Sequence, residues 1–155
     1  MENAEKNTLR QFILEAGRAT YASGDETIRE KLNDHSTSIW FKKDAYVFHD
    51  NYFGGEPFGG REVVFREGRP IWMMVYYGAI VGGGETGEVY AFLMKALSNA
   101  TVDMPYRGPT LFEEPGWKYE NVCVGDVERF SGVEKILKDG ACVYEARYVG
   151  GEVDR

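Results

Sequence analysis

Cysteine, histidine and proline are scarce in this chain, with 2, 2 and 5 residues respectively among 155. Cys123 and Cys142 make neither a CxxC pair nor a dense framework, which excludes a disulfide scaffold and leads us to expect free thiols. His35 and His49 fall in different elements, and a catalytic zinc site draws on three protein ligands with a supporting shell, so no metal site is expected. No apolar run approaches the ~20 residues that span a bilayer. Met1–Asn7 is polar, so no membrane association and a cytoplasmic location are expected. Positive charge is also short. Lys plus Arg is 18 against 25 for Asp plus Glu, a net charge of −7, and an acidic field repels phosphate backbones, which excludes generic nucleic-acid binding by the chain itself. There is no GxSxG elbow, and neither cysteine neighbours a histidine, so no nucleophilic triad is legible and catalytic residues stay unknown.

Aromatic residues, by contrast, reach 14%, and Gly numbers 19. That combination suits short strands joined by tight turns. A first helix is expected from Thr8, with Gln11 completing a capping-box pattern, Leu9, Phe12, Ile13 and Ala16 on one face, and Gly17 as a stop. Tyr21–Lys43 lacks a sustained apolar face and reads as a long loop with one short turn capped by Asp25. Tyr46–Phe53, Glu62–Arg66 and Ile71–Val81 read as an antiparallel meander, followed by a helix over Gly87–Ser98 and a Pro/Gly loop over Asp103–Gly116. Trp117–Val124, Val133–Lys138 and Cys142–Val149 then form a second meander.

An internal repeat organises these elements. Laying residues 56–78 over 128–150 pairs Glu56 with Glu128, Phe58 with Phe130, Gly60 with Gly132, Glu62 with Glu134, Gly68 with Gly140, Tyr76 with Tyr148 and Gly78 with Gly150 without a gap. The expected fold is α+β in one domain over 1–155, with two α-β-β-β halves, a mostly antiparallel sheet, helices on one side and a pseudo-two-fold duplication. The strings YFGGEPFGGREVV (Tyr52–Val64), PIWMMVYYG (Pro70–Gly78), PYRGP (Pro105–Pro109) and GDVERFSGVEKI with DGACVYEARYVGG (Gly125–Gly151) resemble the family called domain of unknown function 5680. The resemblance implies a bacterial or archaeal protein that stands alone or follows a helix-turn-helix segment. It implies no activity. The short stretch before the first helix leads us to expect no such DNA-binding segment here.

Gly82, Gly84 and Gly87 satisfy GxGxxG, but no second strand ending in an acid follows, and Asp103 falls in the Pro/Gly loop, so no dinucleotide or other cofactor is expected. The stripe Trp72, Met74, Tyr76 shares a face with Tyr144 and Tyr148 by the repeat, and large rings with polar tips suit a small-molecule cleft. Arg107, stiffened by Pro105 and Pro109, is a candidate anchor for an anionic group, or else pairs with a local acid such as Glu113 or Glu114. The candidate ligand-binding residues are therefore Trp72, Tyr76, Arg107, Tyr144 and Tyr148, and the leading function is non-catalytic binding of a small aromatic or anionic molecule. A hydrolase-like enzyme using the carboxylate pairs Glu56/Glu128 or Glu62/Glu134 is the alternative, and a protein-interaction module a third. The composition also leaves room for a homodimer. A ligand domain predicts a closed pocket lined by the four aromatic residues, an enzyme predicts carboxylates of raised pKa, and an interaction module predicts a flat exposed apolar patch.

Overall fold

The computed structural model describes residues 1–154. It is an α+β arrangement in which helix α1 (Asn3–Ala19) precedes strands β1 (Glu30–Lys31), β2 (Thr37–Lys43), β3 (Tyr46–Phe53), β4 (Phe58–Arg66) and β5 (Arg69–Ile80). Helix α2 (Thr86–Leu97) then precedes β6 (Leu111–Glu114), β7 (Trp117–Asp126), β8 (Arg129–Lys138) and β9 (Ala141–Glu152). All nine strands join one antiparallel sheet in the order β1-β2-β3-β4-β5-β9-β8-β7-β6. Each helix is thus followed by more strands than the three expected. The additions are β1 and β2, from the segment read as a loop, and β6, from the Pro/Gly loop. In β2 Thr37, Ser38 and Ile39 are all buried while Trp40 is exposed, and the apolar alternation of Ile39 and Phe41 is masked by the surrounding Ser, Asn and Asp residues. Asp25 does cap a short 3-10 turn, Glu26–Ile28, by accepting from the Thr27 N–H.

Helix α1 starts at Asn3, six residues earlier than the Thr8 pattern implies. The Glu2 N–H donates to Glu5 Oε2 at its N-terminus, and the Thr8 hydroxyl instead donates to the Ala4 carbonyl inside the helix. Gly17 does not stop it. A Cβ there would stand 2.5 Å from the Tyr21 hydroxyl oxygen, so the glycine admits the Tyr21 ring against the last turn.

Both helices cover the same face of the sheet. Leu9, Phe12, Ile13 and Ala16 of α1 pack with Phe48, Val64, Trp72 and Met74, while Val89, Phe92 and Leu93 of α2 pack with Tyr119, Ile136 and Tyr144. Tyr148 of the first cluster and Tyr144 and Ala146 of the second lie at alternate positions of β9, which puts both clusters on one face. Each fully buried aliphatic side chain contributes roughly 1.5–3 kcal/mol relative to exposure. The far face stays open, with Val75, Tyr77, Val122, Val124 and Val149 all exposed.

The β4–β5 and β8–β9 turns share their chemistry. Glu67 (φ 51) and Gly68 (φ 80) at one, and Asp139 (φ 48) and Gly140 (φ 81) at the other, give the two successive positive φ values of a type I′ turn. A register shift follows at Val64/Phe65 in the first hairpin and Ile136/Leu137 in the second. Gly132 lies opposite Tyr148, and a Cβ there would stand 2.1 Å from the ring. Gly132→Ala is accordingly expected to cost about 1–3 kcal/mol by overpacking. Urea unfolding of the two proteins checks this, and an unchanged midpoint would show that the ring moves aside freely.

Candidate functional site

The inner face of the sheet gathers a buried polar cluster, and the PYRGP loop builds one arm of it. Pro105, Tyr106, Arg107 and Gly108 are all buried. Tyr106 stacks on Phe130 with ring centres 3.9 Å apart. The Gly108 N–H donates to the Tyr119 hydroxyl (3.0 Å), and its carbonyl accepts from Asn121 Nδ2 (3.0 Å). The close approach needs glycine, since a Cβ would lie 2.6 Å from the Tyr119 ring. Pinned in this way, the loop aims Arg107 at Glu134, with Nε and Nη2 donating to Oε1 at 3.0 and 2.6 Å. Tyr144 donates to the same oxygen (2.9 Å) and Tyr119 to Oε2 (2.5 Å). Burial works against the charge on Arg107, but Glu134 beside it holds the guanidinium pKa well above its ordinary value.

The other arm is short of donors. Asp50 on β3 and Glu62 on β4 are directly opposite in the ladder and 2% and 0% exposed. Tyr76 donates to Asp50 Oδ1 (2.5 Å), whereas neither carboxylate oxygen of Glu62 has a hydrogen-bond partner among the described residues. Burial pushes the Asp50 pKa up to about 6, against the opposing pull of the Tyr76 hydrogen bond and Arg107. Burial first, and Asp50 second, push Glu62 well above the usual carboxylate range.

A cavity of about 350 Å³ opens over this arm, between the sheet and α2. Asp50, Tyr76 and Arg107 form its floor, and Tyr21, Tyr52, Phe58 and Tyr90 its aromatic walls. Leu93 and Met94 of α2 close one side, and Glu26, Arg29 and Lys31 stand at the rim. Arg29 Nε donates to the Tyr52 hydroxyl (3.2 Å), which fastens the 3-10 turn to the wall. The groups that Glu62 interacts with electrostatically, namely Asp50, Arg107, Tyr21 and Tyr76, all line this cavity.

Of the residues singled out from sequence, Tyr76 and Arg107 line the cavity and approach one another, the Arg107 guanidinium lying 5.6 Å from the Tyr76 ring centre. Trp72 lies deeper, its indole N–H donating to the Val127 carbonyl (3.0 Å). Tyr144 and Tyr148 are spent on Glu134 and on Asn121 Oδ1 (2.7 Å) respectively, outside the cavity lining. Arg107 pairs with Glu134 and not with Glu113 or Glu114. Glu56 accepts from the Ile80 N–H and the Tyr90 hydroxyl, while Glu128 holds the N-terminal amine and Lys6, so these two carboxylates serve separate surface contacts. Asp50, Tyr21, Tyr52, Phe58 and Tyr90 escaped the sequence reading. The available signal was phase, because Asp50 falls in step with the inward positions Phe48 and Tyr52.

Other candidates have local roles. Glu85 accepts from the Gly87 and Glu88 N–H groups, so the positive end of α2 at the GxGxxG segment is already occupied by a carboxylate. His49 stacks on Trp40 at 3.7 Å and shares a 2.6 Å hydrogen bond with the Ser38 hydroxyl, and burial lowers its pKa to about 4. Among the described residues no cluster of three or more His, Cys, Asp or Glu is placed to hold a metal ion, and Cys123 and Cys142 are free thiols. On the open face of the sheet a groove of about 440 Å³ runs past Val75, Tyr77, Val122 and Val149, with no carboxylate in its lining.

Fold and site together define a small α+β domain with a polar-floored cleft beneath a helix. The model of the family described as domain of unknown function, DUF5680, matches residues 50–153, and the chain belongs to that family. No curated protein and no solved structure matches it. No helix among the described residues is long and apolar enough to cross a membrane.

Proposed function

We propose that the chain is a non-catalytic domain, acting in the cytoplasm, that binds a small aromatic molecule in the cleft between the sheet and α2. The observation that carries this reading is the pairing of four aromatic walls with a floor of buried charged and hydroxyl groups in a 350 Å³ space. That is the make-up of a ligand site, with an apolar lining and a few fixed polar groups. The exposed Val75, Tyr77, Val122, Val124 and Val149 are the apolar patch an interaction module predicts, but the groove there is lined by none of the buried charged groups that floor the cleft and would fix a small ligand.

Raised carboxylate pKa values at Asp50 and Glu62 favour acid–base catalysis as a second reading. Proton transfer requires contact with the reacting group. Asp50 reaches the cavity, but Glu62 is fully buried and absent from its lining, so the two cannot divide acid and base roles on one substrate. Binding is the better account.

The same reading takes the two hairpins as copies of one ancestral unit. Support comes from the matching type I′ turns, the register shifts at positions 72 residues apart, and the direct pairing of the repeat mates Tyr76 and Tyr148. Duplication would explain why a cleft lies beside the seam.

A thermal-shift screen with planar aromatic compounds of varied charge tests the binding claim. A true ligand raises the melting temperature in a saturable way. Met94→Trp, which puts a bulky ring at the cavity wall, should abolish that response while leaving the unliganded melting temperature nearly unchanged. If no compound stabilises the protein, or Met94→Trp responds equally, the cleft is not the site.

A further inference from the structure

Two glutamates occupy corresponding places on the inner face and meet opposite fates. Glu134 faces Asn121 across the β7–β8 ladder, and Glu62 faces Asp50 across the β3–β4 ladder. Two residues further along, the row beside Glu134 reads Tyr119, Ile136, Tyr144, and the row beside Glu62 reads Phe48, Val64, Trp72. Both phenols that donate to Glu134 are thereby replaced, one by a phenyl ring and one by an indole whose N–H is committed to Val127. Arg107, the one guanidinium on the floor, is spent on Glu134. What remains beside the cavity, among the described residues, is Asp50 with a single phenol donor and Glu62 with none.

Resting on the binding reading above, we propose that the ligand is an aromatic amine, a planar ring carrying an ammonium group, and that the Asp50/Glu62 carboxyl pair is its recognition element. A buried carboxylate without a partner is costly, and a native structure that keeps one has a use for it. A ligand ammonium at the floor would donate to Asp50 and lie in the field of Glu62, while the ring fills the space among Tyr52, Phe58 and Tyr90. Aromatic walls also favour a cation electrostatically. An anion meets the opposite balance at the floor, since Arg107 is already neutralised by Glu134, and Arg29 and Lys31 stand at the rim, away from the floor.

Without ligand, the pair holds a proton in place of the missing countercharge. The groups facing it are Tyr76 from β5, Tyr21 after α1 and Arg107 from the PYRGP loop, with Arg29 and Arg61 acting on Asp50. Both phenols stay neutral at ordinary pH because burial raises them. The arriving ammonium therefore displaces a proton from the carboxyl pair to solvent, which keeps the local charge constant.

The test is calorimetric titration with three compounds of one shape: tryptamine (cation), indole-3-ethanol (neutral) and indole-3-acetate (anion). At pH 7 tryptamine is expected to bind at least about tenfold more tightly than either of the others, as one charge-assisted hydrogen bond in a dry site would give. Titrations in buffers of differing ionisation heat should show proton release on tryptamine binding only. Glu62→Gln should weaken tryptamine roughly tenfold, abolish the proton release, and leave indole-3-ethanol within about twofold. If indole-3-acetate or indole-3-ethanol binds as well as tryptamine, the amine inference is wrong while the cleft remains a binding site. If none of the three binds, the inference is wrong, and the wider thermal-shift screen then decides separately whether the cleft binds anything.

Discussion

Replacing Arg107 by alanine is expected to cost about 3–5 kcal/mol of folding stability, the range for breaking a buried ion pair by removing one partner. At about 2–4 °C per kcal/mol for a chain of this size, the melting temperature should fall by roughly 10 °C. Glu134 is 0% exposed, and without Arg107 its two tyrosine donors would face a carboxylate with no countercharge in the interior. From the sequence, Arg107 is either an anchor for an anionic group or the partner of a local acid, and its burial against Glu134 favours a structural role. The double replacement Arg107→Met with Glu134→Met should recover much of the loss, since apolar residues of similar size often substitute for a buried pair at little cost. Differential scanning calorimetry measures both. An Arg107→Ala melting temperature within about 2 °C of the parent would show that water reaches Glu134 and that the loop is not held by this pair.

The second large effect is a pH dependence of opposite sign to the usual surface carboxylate. Asp50 is raised to about 6 in the folded state and burial holds Glu62 well above its usual range, so folding favours their protonated forms. That contribution is fully present below about pH 4, where unfolded carboxylates also hold their protons, and is lost as pH rises through about 6 and beyond. His49 acts the other way. Its pKa is lowered to about 4, so its stabilising contribution is present above about 6.5 and lost as pH falls toward 4. Glu62→Gln isolates the carboxyl contribution, because His49 is common to both proteins and cancels in the difference. Urea unfolding should show the variant gaining on the parent by at least about 1 kcal/mol between pH 5 and pH 8. A difference that stays flat would mean that Glu62 has ordinary solvation in the folded state.

Regular elements were legible where the pattern was strong. Both helices and the six longer strands announce themselves through aromatic and β-branched runs punctuated by Gly, and Glu67-Gly68 and Asp139-Gly140 mark their turns. Short strands were not. β2 hides Thr37, Ile39 and Phe41 among polar residues, and β6 is only four residues long within a loop dominated by Pro and Gly. Site residues divided along the same line. Tyr76 and Arg107 could be chosen from a stripe and a stiff loop, but Asp50 could not, because its function depends on lying opposite Glu62 and under α2. Those are long-range relations between strands, which local sequence does not encode. The partner of Arg107 was missed for the same reason, as Glu134 is distant in sequence but meets the loop across the sheet.

The central claim, that the inner cleft is the binding site, is tested most directly by two-dimensional NMR of isotopically labelled protein titrated with tryptamine. The account predicts saturable shifts clustered at Tyr21, Tyr52, Phe58, Tyr90 and Met94, with the Val75, Val122 and Val149 signals on the open face unmoved. Shifts confined to the open face would contradict it, whereas no shift at all would overturn the amine inference alone.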